Sequence, residues 1–214
     1  MNSSRLEAFS DGVIAILITI MVFELNVPDS PAFSQLRRHV LPIFLAYALS
    51  FVVLGIYWNN HHHMLHLTKR INGGILWANL DLLFWLSLFP FCTAWMGKNH
   101  FATVPTAVYG CVMLLAAFAY YILQSAIVAD QGQGSELKAA LGNDLKGKLS
   151  PAIYAVSIPL AFADRWLAVS GYVVVALMWL VPDRRLEARF ARSDQALGEE
   201  TDEDEPDTRR GSPR

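Results

Sequence analysis

Twenty residues, Leu6 to Leu25, run apolar except for Glu7, Ser10, Asp11, Thr19 and Glu24. As a helix, about 20 residues cross a hydrocarbon core roughly 30 Å thick. Further apolar blocks follow at about Leu41–Asn60, Ile75–Met96, Thr106–Val128, Pro151–Phe162 and Trp166–Val181. A chain with 54% hydrophobic and 17% charged residues, the charges set mostly between the blocks, does not read as an ordinary soluble domain. The expectation is an all-α polytopic membrane protein with six transmembrane helices. The first run lacks the basic flank and cleavage site of a secretory signal, so it reads as a retained span.

Breakers separate the blocks. Asn26-Val27-Pro28-Asp29-Ser30-Pro31 ends the first, and Asn72-Gly73-Gly74 precedes the third. Pro42 falls in the first turn of the second span, where a missing N–H costs little. Pro90 kinks the third or ends its regular part. A polar linker runs from Asp130 to Lys148. Only Ala163-Asp164-Arg165 parts the last two blocks, which predicts a tight helical hairpin. Two readings of the short fifth block stand: a full crossing, or a re-entrant segment that puts the termini on opposite sides.

Charge asymmetry sets the orientation. With six spans and a cytoplasmic N-terminus, Arg5, Lys69, Arg70, Lys138, Lys146, Lys148, Arg184, Arg185, Arg189 and Arg192 lie inside. Arg37, Arg38, Lys98 and Arg165 lie outside, so the count is ten against four. Residues 1–192 form the membrane domain. Residues 193–214, acidic and poor in hydrophobes, read as a disordered cytoplasmic tail. No basic face suits nucleic acid, and Cys92 and Cys111 lie inside apolar blocks with no disulfide or CxxC spacing.

At about 100° per residue, Phe9, Gly12, Val13, Ile16, Thr19, Ile20 and Phe23 fall on one stripe of the first helix. Asp11 lies about 140° from Ile16, on the opposite side, with Ile18, Val22 and Leu25. The stripe suits helix packing. It equally suits an axial lining, with Ile16, Ile20 and Phe23 as hydrophobic constrictions and Thr19 supplying ion-coordinating oxygens. Asp11 at membrane depth needs a partner or a wet cavity, unless it merely caps the helix after Ser10. His61, His62, His63 and His66, at the end of the second span, lie at the depth of Asp11. His62 and His66 are spaced for zinc, but no Cys or second-helix His completes a site, and Asp11 would have to be the third ligand. A hydrogen-bonded plug of Asp11, Arg5, Ser10 and Asn59 or Asn60 is preferred, with no metal. Asn79 and Asp81 open the third span, Asp81 either extending the polar network or capping the helix, and Glu24 is a lone carboxylate at the outer mouth.

The run Arg5-x-x-x-Phe9-Ser10-Asp11 resembles the RxxxFSD signature of the transmembrane protein 175 family of potassium channels. Trp58-Asn-Asn-His61-His62 resembles that family's tryptophan–histidine motif in the second helix. One six-helix repeat, with no second copy, resembles the bacterial branch. The resemblance implies a homotetramer in the cell membrane, both termini cytoplasmic, with the first helices around a central potassium-conducting pore. It implies a first constriction at Ile16, selectivity at Thr19, and lining continued by Ile20 and Phe23. Arg5, Ser10 and Asp11 would hold the first helix to the second through His61 or His62. No TVGYG filter occurs, which implies modest selectivity. No cofactor is expected beyond the permeant potassium ion, and no enzymatic nucleophile–base pair is evident. The alternative is a proton- or metal-coupled secondary transporter using Asp11 and the histidine cluster.

Overall fold

A computed structural model describes residues 3–25, 27–28, 31–68, 70–132, 137 and 145–180. Among these, regular structure is helical throughout, and no strand occurs. Helix α1 spans Ser3–Ile20 and continues as a 3₁₀ turn, Met21–Glu24. A short α-turn, Phe33–Gln35, and a π turn, Leu36–Val40, run into α2, Leu41–His66. Then come α3 (Gly73–Ser87), α4 (Phe89–Lys98), α5 (Thr103–Gln131), α6 (Leu145–Ala163) and α7 (Arg165–Leu180).

Four helical stretches are long and apolar enough to cross a membrane: Ser3–Glu24, Phe33–His66, Gly73–Lys98 and Thr103–Gln131. The 19-residue α6 and 16-residue α7 complete six helical units. At 1.5 Å per residue they are about 28 and 24 Å long, close to the thickness of a hydrocarbon core. The sixth is a shorter apolar helix than the rest, and α6 begins six residues before the expected Pro151. Only Asp164 parts the two, and its carboxylate accepts the Trp166 N–H at 2.8 Å, so the expected hairpin is present. The tail at 193–214 and most of the 130–148 linker lie outside the described residues.

Two local features follow from proline. The second helical unit starts eight residues before the expected Leu41, and Pro42 lies in the first turn of its α-helical part, α2, as expected. Pro42 has no N–H to offer the carbonyl four residues back, and the backbone just ahead of it winds as a π turn, Leu36–Val40. In the third unit, the helix breaks at Leu88 and restarts with Pro90 in the first turn of α4, as its ring demands. Asn72 caps α3 by accepting the Ile75 N–H at 2.9 Å. Its amide donates to Asp130 at 2.7 Å, tying the turn before α3 to the end of α5.

The core lies where α1, α3, α4 and α5 meet, around Ile14, Leu82, Leu86, Phe89 and Met113, all essentially solvent-free. Without a hydrophobic drive between helices in lipid, close approach depends on small residues. Gly97 of α4 shows this: a Cβ there would stand 2.8 Å from the backbone of Ile43 on α2. Gly110 of α5 makes room for Tyr172 of α7, whose hydroxyl donates to the Thr106 carbonyl at 3.1 Å.

Candidate functional site

One face of α1 is packed. Leu6, Ser10, Ile14, Leu17 and Met21 recur at helical spacing and are all buried against α2, α3 and α4. The opposite stripe stays open on the single chain: Phe9 is 53% exposed, Ile16 56%, Ile20 44% and Phe23 80%, with Gly12 and Thr19 exposed beside them. The 3₁₀ turn has about three residues per turn, so residues three apart eclipse and Phe23 stands in line with Ile20. The Thr19 hydroxyl lies 3.0 Å from the Ala15 carbonyl and 2.9 Å from that of Ile16. Its proton is used within the helix, and its lone pairs remain for an outside donor or cation.

The packed face is fastened at both ends by hydrogen bonds. Near the Ser3 end, the Ser10 hydroxyl donates to the Leu6 carbonyl at 2.9 Å and accepts from Asn79 Nδ2 of α3 at 3.0 Å. Asn79 Oδ1 in turn accepts from His61 Nε2 of α2 at 2.7 Å. Ser10, Asn79 and His61 are wholly buried. This joins three helices through one amide and fixes the histidine as the tautomer protonated at Nε2.

At the other end a second chain was invisible to motif reading. Thr93 of α4 donates to Met21 Sδ at 3.8 Å, Ser50 of α2 lies 2.6 Å from Thr93, and Tyr109 of α5 lies 3.0 Å from Ser50. Each hydroxyl has one proton, so the donors run one way, from Tyr109 to Ser50 to Thr93 to Met21. Beyond it, Glu24 ion-pairs with Lys98 at 2.5 Å. The carboxylate is therefore not the lone charge expected at that mouth.

The remaining predicted residues divide. Asp11 is half-buried on the flank between the two faces of α1. It lies with Glu7 and His62, whose Oε1 and Nδ1 are 2.7 Å apart. Trp58 stacks on the His62 ring at 6.2 Å between centroids. Thus Ser10 and His61 meet through Asn79, and Asp11 and His62 meet beside Glu7. Arg5 is exposed and makes no ion pair or hydrogen bond among the described residues. Asp81 is also exposed, on the side of α3 away from Asn79. Glu7 escaped the sequence reading because it occupies a variable position of RxxxFSD. Its i, i+4 spacing to Asp11 was the available signal.

The chain was compared with known proteins. The family model described as the endosomal/lysosomal potassium channel TMEM175 matches residues 5–90. A potassium channel of Chryseobacterium sp. (strain P1-3) is 50% identical over 187 residues, 87% of this chain and 97% of that protein. A potassium channel of Chamaesiphon minutus is 30% identical over 187 residues, covering 82% of this chain and 92% of its own. The crystal structure of a lysosomal potassium-selective channel TMEM175 homolog from Chamaesiphon minutus matches the fold with a TM-score of 0.71. It is 29% identical and covers 84% of this chain and 96% of that one.

Proposed function

This chain belongs to the TMEM175 family of membrane channels, and we propose that four copies of it form a potassium channel whose axis is lined by α1. The observation that carries the reading is the outward stripe of α1. Ile16, Ile20 and Phe23 lie open on a helix whose other face is fully packed. Around an axis, such rings narrow the path and exclude water when closed, while Thr19 oxygens replace part of the water around a dehydrated cation. Thr19 suits that task because its proton already serves its own helix.

The exposed charges favour several copies over one. Asp81 sits eight residues into α3, about 12 Å along the helix from Gly73. A carboxylate at the centre of a span costs about 2.5–3.5 kcal/mol against lipid, and one part-way along it is best covered by water or a neighbouring subunit. The excess of Lys and Arg on one side supports a cytoplasmic position for both termini, the arrangement we propose for this protein in the cell membrane. Residues 1–192 are the channel domain, and 193–214 are an acidic extension of it. The relatives' names are those of channels, which supports transport and does not favour the coupled transporter.

Purified protein reconstituted in liposomes with a potassium gradient tests the reading. We expect a tetramer by native mass spectrometry, currents far above carrier turnover, and potassium preferred over sodium. Thr19→Ala should reduce that preference by several-fold while leaving the tetramer intact. Saturating, proton-driven flux, or a monomer that conducts, would overturn it.

A further inference from the structure

Three groups that could bind a metal meet outside the α1 stripe. Glu7 and Asp11 stand one turn apart on α1, and His62 faces them from α2. One ligand atom from each, two carboxylate oxygens and an imidazole nitrogen, lie within 4.8 Å of one another. All three side chains are half-buried. We propose that Glu7, Asp11 and His62 form a binding site for a divalent transition-metal cation of the zinc type, bridging α1 to α2.

Three observations support it. Asp11 Oδ1 is shut off from solvent and has no hydrogen-bond partner among the described residues. A carboxylate oxygen in that state is costly unless a cation or donor meets it. His62 is held by ring stacking on both sides, from Trp58 at 6.2 Å and 28° and from His66 at 6.4 Å and 22°. A ring fixed in plane and position is what a metal ligand needs. Lastly, His62 Nδ1 and Glu7 Oε1 are 2.7 Å apart without the alignment of a hydrogen bond, and Nδ1 is shut off from solvent with no hydrogen-bond partner among the described residues. A metal with bonds of about 2.0–2.2 Å to both would fit between them after the pair parts by about half an ångström.

The donor set chooses the ion. Two carboxylates with one imidazole suit zinc and its first-row neighbours, whereas magnesium and calcium take oxygen-only shells. Three protein ligands leave one position for water, and half-burial leaves it a path. Two negative charges close together near the end of a membrane helix gain most from a divalent partner. The site is independent of what moves along α1. Only its effect on conduction rests on the channel reading, because the metal would fix the pore helix to its neighbour.

The test uses the full-length protein in detergent, titrated with Zn²⁺ by calorimetry and with Co²⁺ as a spectroscopic probe. One Zn²⁺ per chain is expected, with Co²⁺ giving visible bands that Zn²⁺ quenches. Glu7→Gln and His62→Gln should each weaken binding by more than the ~10–100-fold typical of losing an outer hydrogen-bond partner of a ligand. His39→Gln, at the far end of the fold, should bind as the parent does. If His62→Gln fails to fold, Glu7→Gln decides alone, provided its melting temperature without metal stays near the parent's. No stoichiometric binding overturns the site and leaves a simple ion pair. Binding that survives Glu7→Gln but vanishes in His66→Gln also overturns it, since the metal would then sit on the His62–His66 pair.

Discussion

Ile14 and Ile16 are the same residue two positions apart on α1, and they have opposite fates. Ile14 is wholly buried; Ile16 is more than half exposed. Leu17 and Ile20 repeat the contrast one turn on. Hydrophobicity therefore does not decide which side of this helix packs. In lipid an apolar side chain gains little by leaving hydrocarbon for protein, so shape and hydrogen bonds do the sorting. The packed face has Ser10 at one end and Met21 at the other, each drawn into a buried polar chain. The bare face has only Thr19, which bonds to its own helix.

The largest effect expected from breaking this contrast is at Asn79. Asn79→Leu leaves the buried His61 Nε2–H without an acceptor and Ser10 with only its bond to the Leu6 carbonyl, which together should cost about 3 kcal/mol. Reversible unfolding in mixed micelles measures it; a loss below 1 kcal/mol would mean that shape alone seats α1. Ile14→Ala comes next, at about 2 kcal/mol, the low end for a large-to-small change in a core because the bilayer removes part of the transfer term. Ile16→Ala should cost the single chain under about 0.5 kcal/mol, as surface changes do. Equal losses at the two isoleucines would erase the distinction between faces. Ile16→Asn should leave folding unchanged and raise potassium current several-fold by wetting a constriction, which single-channel recording would show. Several-fold corresponds to about 1 kcal/mol. The selectivity change at Thr19 asks whether the bare face does more than stay open.

Much of this contrast was legible before any coordinates. A period of 3.6 residues places Phe9, Ile16, Thr19, Ile20 and Phe23 on one side whatever they face, and RxxxFSD marks the depth of Ser10. Other parts were hidden for identifiable reasons. The helix ahead of Leu41 carries Arg37, Arg38 and His39, which read as loop because nothing local announces a π turn. The Ser50–Thr93–Tyr109 chain draws single hydroxyls from three helices, 43 and 59 positions apart along the chain, and no spacing rule links such residues. The sequence offers Asp81 as cap or network residue at the head of α3, whereas the cap is Asn72 and the hub is Asn79. Helical phase put Asp11 opposite Ile16, and the structure sets it on the flank beside Glu7, a neighbour any i, i+4 scan would raise.

The 3₁₀ turn that ends α1 has a rotational consequence. Over the three steps from Ile20 to Phe23, 3₁₀ winding turns the chain by about 360° and α winding by about 300°. Rewinding this one turn would swing Phe23 roughly 60° about the helix axis and shorten the end by about 2 Å. The Ser10 anchor, three turns away, would not be touched. Phe23, the last aromatic ring of the first helix, is thus mounted on a turn whose pitch can change without disturbing the Ser10 fastening to α3, while its Met21 and Glu24 bonds to α4 would move with it.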